Sequence, residues 1–86
     1  MKMITFTEHA LFQMQRRGIS EKDVREIIEN PEQAEEIRSD RVVMQSRILT
    51  EEPPKKFLVR VFVDVSDKGV KVVTVYRTSK IEKYWR

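Results

Sequence analysis

The residues that could do chemistry are few. The 86-residue chain has no cysteine and a single histidine. That excludes disulfides, thiolate nucleophiles, Cys-ligated zinc and iron–sulfur clusters, and any multi-His metal site within one chain. Arginine, lysine, tyrosine and His9 remain. Arg60 interrupts a segment that is otherwise apolar or aromatic from Phe57 to Val63. A charge so placed must face solvent, a partner or a ligand, and the guanidinium fork matches the geometry of phosphate. Tyr76, in the next apolar segment, could hold a proton or stack on a base. His9 could serve as acid or base, and at helical spacing it shares a stripe with Gln13 and Arg16. Each residue also has a plainer reading. His9 could order a helix start, Arg60 could be the exposed arginine of a one-sided antiparallel sheet, and Tyr76 is a favoured strand residue.

The charge pattern adds a direction. The formal net charge is only +3, too small to name a partner. Residues 21–40 carry eight acids and three bases (net −5), and residues 55–86 carry nine bases and three acids (net +6). The small total is therefore a near-cancellation between an acidic and a basic region. Arg77, Lys80 and Lys83 in the basic region, with Arg17 beside Arg16, are candidate phosphate contacts for a polyanion. The alternative is a solvated surface.

These side chains need elements to hold them. Met3 to Phe6 predicts a short edge strand. Thr7 caps a helix from Glu8 to about Arg17, which Gly18 stops. Ser20 caps a second helix with Val24, Ile27 and Ile28 inward, and Asn30-Pro31 ends it. Ala34 to Ser39, Arg41 to Leu49, Phe57 to Val65 and Val70 to Thr78 read as strands. Glu51-Glu52-Pro53-Pro54 breaks the sheet. Ser66-Asp67-Lys68-Gly69 predicts a three-residue loop, a type I turn with Gly69 in a left-handed bulge. That loop sets a register: Val61 faces Val75, Val63 faces Val73, and Arg60 faces Tyr76. One sheet face is then nearly all valine and lies on the helices. The other carries Leu58, Arg60, Phe62, Val72, Thr74 and Tyr76. Ser79 is positioned to cap a final helix anchored by Ile81, Tyr84 and Trp85. The expected architecture is a single α+β domain, residues 1–86, with two N-terminal helices on an antiparallel sheet of about four strands and a short C-terminal helical tail.

Two segments carry a family likeness. They are His9 to Ser20 (H-A-L-F-Q-M-Q-R-R-G-I-S) and Val72 to Trp85 (V-V-T-V-Y-R-T-S-K-I-E-K-Y-W). Together they resemble the small prokaryotic domains grouped as domain-of-unknown-function family 4258, which is similar to the wider RelE/ParE/BrnT toxin superfamily. The resemblance implies a RelE-like fold and, in active members, metal-independent cleavage of RNA. It also implies an antitoxin that blocks a basic face. The family often has Arg where this chain has Gln13.

Cleavage of this kind needs a base for the 2′-hydroxyl, cations for the charge on phosphorus, and an acid for the leaving 5′-oxygen. The expected roles are Arg60 and Arg16 as cations and His9 and Tyr76 as proton-transfer groups. Arg17, Arg77, Lys80 and Lys83 would contact nucleic acid. The expected protein is a cytoplasmic, toxin-like RNA-binding protein with no metal or cofactor and no membrane association. Its expected partners are RNA, including ribosome-bound mRNA, and a cognate antitoxin. The alternatives are a non-catalytic binding module using the same basic face, and a relative that kept the fold and lost the site.

Overall fold

Local sequence signals set the helices. A computed structural model describes residues 3–51 and 54–86. Helix α1 spans Glu8–Arg17, and its N-cap Thr7 accepts a hydrogen bond from the Ala10 amide. Gly18 closes it with φ +67°, the left-handed stop that glycine adopts without steric penalty. Helix α2 spans Glu21–Glu29 and is capped by Ser20, whose hydroxyl accepts from the Asp23 amide. No helix among the described residues is long and apolar enough to cross a membrane.

The sheet has five strands: β1 (Met3–Phe6), β2 (Gln33–Arg38), β3 (Arg41–Glu51), β4 (Pro54–Ser66) and β5 (Gly69–Thr78). Their spatial order is β1-β5-β4-β3-β2. This corrects the expectation of an antiparallel sheet of about four strands. The sheet is mixed, because β1 pairs parallel to β5 from Met3↔Gly69 to Phe6↔Val72. A four-residue strand carries no sign of its direction of pairing. Its place follows from the helices, which carry the chain from one sheet edge (β1) to the other (β2). The expected break at Glu51 to Pro54 is also narrower. Glu51 still pairs with Pro54, and residues 52 and 53 lie outside the described residues.

The β4–β5 turn differs from the expected one. Ser66 pairs with Gly69, so the loop has two residues, and Gly69 has φ +137° rather than a left-handed helical value. Ser66↔Gly69 to Val63↔Val72 follow one register. The register then shifts, and Phe62↔Thr74, Val61↔Val75 and Arg60↔Tyr76 follow the next. Val73 is the extra residue of a β-bulge. The bulge restores the offset that the shorter loop removed. Arg60 therefore faces Tyr76 as expected, while Val63 faces Val72 rather than Val73. Val72 in turn lies on the helix face, fully buried, not on the mixed face.

The core lies between the helices and one sheet face. Ala10, Met14, Val24 and Ile27 pack against Val59, Val61, Val63, Val70, Val72 and Val75. Each fully buried valine of this kind contributes roughly 1.5–3 kcal/mol. The chain ends in one helical turn, α3 (Ile81–Tyr84), whose N-cap is Lys80 with no side-chain cap bond. Ser79 therefore does not cap it. The Thr78 hydroxyl instead accepts from the Lys80 amide.

A Cβ on Gly69 would stand 2.1 Å from the Met3 carbonyl oxygen. Gly69→Ala therefore strains the turn and pushes β1 away. The expected loss is about 1–3 kcal/mol, read as a lower urea midpoint.

Candidate functional site

Strand alternation divides the candidate residues between two faces. Val59, Val61 and Val63 meet the helices, so Leu58, Arg60 and Phe62 point to the opposite face. The registers bring Val43, Gln45 and Arg47 of β3 to that face opposite Phe62, Arg60 and Leu58. Tyr76 comes from β5. Arg60 thus sits on the central strand with a neighbour on each side.

Its partners are specific. Arg60 Nε donates to Gln45 Oε1 at 2.9 Å, and Nη1 donates to the Tyr76 hydroxyl at 2.7 Å. Its guanidinium lies 5.3 Å from the Phe62 ring centre, 5.8 Å from Tyr76 and 4.3 Å from Tyr84. Phe62 and Tyr76 stack at 6.0 Å, and Tyr84 meets Tyr76 edge-on at 6.4 Å. Cation–π attraction of this kind strengthens as the cation is desolvated. Arg60 is half-buried. No carboxylate pairs with it among the described residues, whose ion pairs are Arg25–Glu21, Arg41–Asp64, Arg47–Glu32 and Arg86–Glu35.

Gln45, at 3% exposure, is a buried polar side chain on the Arg60 face. Sequence reasoning missed it. Its amide nitrogen donates to Gln33 Oε1 at 2.8 Å and to the Tyr84 carbonyl at 3.1 Å. Gln33 in turn pairs with both the amide and the carbonyl of Arg86, as a neighbouring strand would. Arg86 also reaches Glu35 at 2.6 Å. The tail is therefore strapped across the face that carries Arg60. A polar residue in register with Arg60 was the signal to look for, but it became readable only once the β3–β4 pairing was known.

Arg47 forms a second strap. It donates to Glu32 from its backbone amide (2.6 Å), Nε (3.2 Å) and Nη2 (3.0 Å). Its guanidinium lies 4.2 Å from the centre of the Trp85 ring. The side-chain hydrogen bonds from Arg47, then the backbone one, hold the Glu32 carboxyl below its ordinary range. At the far end of the sheet, the fork of Arg41 on Asp64 lowers that carboxyl in the same way.

The other candidates lie elsewhere. His9 and Arg16 are exposed on α1, in the layer on the opposite side of the sheet from Arg60 and Tyr76. Gln13, on the same stripe, accepts from the Val75 amide at 3.1 Å. An arginine has no acceptor to offer there, so this glutamine caps a strand edge. Arg17 is exposed at the end of α1, and Arg77 is half-buried on the helix face, 4.8 Å from the Phe57 ring centre. Lys80 and Lys83 are exposed beside α3, with Lys83 5.5 Å from the Tyr84 ring centre. The structure brings Arg60 and Tyr76 together and keeps His9 and Arg16 apart from them.

An α+β domain with two helices on one face of a mixed five-stranded sheet, and a strapped arginine–tyrosine pair on the other, is the class that emerges. Within it, the model of the family described as a domain of unknown function (DUF4258) matches residues 6–77. The chain belongs to that family. The match includes Arg60, Tyr76 and Arg77 and ends before Lys80 and Lys83. No curated protein and no solved structure matches the chain.

Trp85 is the sole tryptophan, so its emission reports the strap. The lowered Glu32 carboxyl contributes stability that is present above its unfolded pKa and lost as pH falls through the folded value. Emission should therefore hold steady from pH 7 to about 4 and shift red below that. Arg47→Ala should produce the red shift at neutral pH. Because this pair is exposed to solvent, the urea midpoint should change little.

Proposed function

We propose that this is a toxin-like protein with a RelE-like fold that binds RNA on the Arg60–Tyr76 face and cleaves it without a metal ion. One observation carries the reading: Arg60 is half-buried, ringed by aromatic groups and, among the described residues, bonded only to neutral acceptors. A guanidinium held this way keeps its full positive charge available to an anion. The bonds to Gln45 and Tyr76 fix its orientation, and this supports a preorganised role in stabilising charge on phosphorus.

The chemistry assigns a step to each member of the pair. The RNA 2′-oxygen forms a bond to phosphorus as its proton leaves to solvent. Arg60 stabilises the charge on the phosphoryl oxygens. The bond from phosphorus to the 5′-oxygen breaks, and that oxygen takes a proton from Tyr76. Arg60 donates to the Tyr76 oxygen, so the phenol proton points elsewhere and is free to be given. Products are a 2′,3′-cyclic phosphate and a 5′-hydroxyl. His9 and Arg16, in the other layer, act as contacts for the rest of the strand. An acidic antitoxin segment fits the same basic face by charge.

A second reading is a binding module without catalysis. It is favoured by the Tyr84 ring over Arg60 and by the separation of His9 from the pair.

Incubation with free and ribosome-bound mRNA in EDTA tests the choice. The expected result is cleavage with cyclic phosphate ends. Arg60→Ala should lower the rate by about 100-fold or more, and Tyr76→Phe by a similar factor. Binding with no cleavage in either substrate selects the binding module.

A further inference from the structure

Tyr76 and Arg77 are consecutive in β5, so they point to opposite faces of the sheet. Arg77 has its own setting there. It lies on Phe57 at 4.8 Å, and Lys55 approaches the same ring at 5.2 Å. Among the described residues no carboxylate pairs with Arg77 or Lys55. Arg77 and Phe57 line a cavity of about 110 Å³ with Gly18, at the end of α1, and Asp23 of α2. This end of the helix face therefore holds Arg77 and Lys55 around one ring, with a single carboxylate, Asp23, on the cavity wall.

The edge between the two faces is only partly covered by another strand. β1 pairs with β5 only as far as Val72. Beyond it, α1 takes over the edge. Thr7 bonds the Val72 and Val73 carbonyls, and one turn and a half later Gln13 caps the Val75 amide. The helix runs along β5 toward Arg77, with exposed His9 and Arg16 flanking Gln13.

We infer that an RNA strand bound at Arg60 continues around this half of the β5 edge onto the helix face, where Arg77 on Phe57 is a second phosphate anchor. The inference rests on the RNA-binding reading above. Successive side chains of β5 project to opposite faces, and a flexible single strand of several nucleotides passes from one face to the other around the edge. Arg60 on one face, Arg16 along the edge, and Arg77 with Lys55 on the other face supply the charge complementarity, and none of the four is in an ion pair among the described residues. A strand of three nucleotides engages one face, and a longer strand engages both.

Oligouridylates with 2′-O-methyl groups, which lack the attacking hydroxyl, test this by fluorescence anisotropy at two lengths, three and twelve nucleotides. Arg77→Gln should weaken the twelve-mer about tenfold and leave the three-mer within about twofold. The slope of log affinity against log salt for the twelve-mer should fall by about 0.7 for each phosphate no longer neutralised. Arg60→Gln should weaken both lengths. Arg77→Lys should keep the salt slope, which separates charge from fold, and thermal unfolding checks each variant. Equal effects of Arg77→Gln on both lengths, or none on either, overturn the wrapped path while leaving RNA binding intact. Polyglutamate of matched charge binding with the same Arg77 dependence assigns the patch to an acidic protein segment and also overturns it. A wild-type protein that binds neither oligomer overturns the RNA reading itself.

Discussion

The hydrogen bond from Arg60 to Gln45 ties the mixed face together. Gln45 is buried, and a buried amide left unsatisfied costs about 1–3 kcal/mol per group. Its oxygen is met by Arg60, and its nitrogen by Gln33 and the Tyr84 carbonyl. One side chain thus joins β2, β3, β4 and the tail. Arg60 in turn binds Tyr76 on β5, so the network crosses four strands. Each member needs the others to remain satisfied, and partly satisfied polar networks are unstable.

That dependence explains the two unlike faces of one sheet. The helix face is held by non-directional valine burial, which tolerates small shifts. The other face is held by directional bonds among Arg60, Gln45, Gln33 and Tyr76, which do not. The cation on this face has aromatic rings for company rather than a carboxylate. The straps of Arg47 on Glu32 and Arg86 on Glu35 pair those two acids with other cations. The acidic stretch of the sequence is in this way partly used to hold the basic tail, and Arg60 keeps its charge.

The β-bulge at Val73 decides which side chains meet. The two-residue turn alone would set Arg60 opposite Val75 and send Tyr76 to the helix face. The extra residue shifts the register back by one, and the arginine and tyrosine meet. The same bulge ends the regular pairing near the point where β1 stops and α1 takes over the edge through Gln13.

Much of this was legible in the residues. Thr7, Gly18 and Ser20 marked the helices because capping and left-handed stops are local chemistry. Valine alternation marked β4 and its buried face. The interruption by Arg60 was visible for the same reason, and its pairing with Tyr76 was legible too, although through a loop one residue too long and without the bulge. What the sequence did not contain were facts about pairing between distant segments: β1 lying parallel to β5, Val72 turning to the core, Gln45 meeting Arg60, and the tail lying over the site. Local propensity determines elements within a few residues of their signals. Register, strand order and the face a tail covers depend on which distant partners satisfy one another best, and only the folded chain brings those partners together.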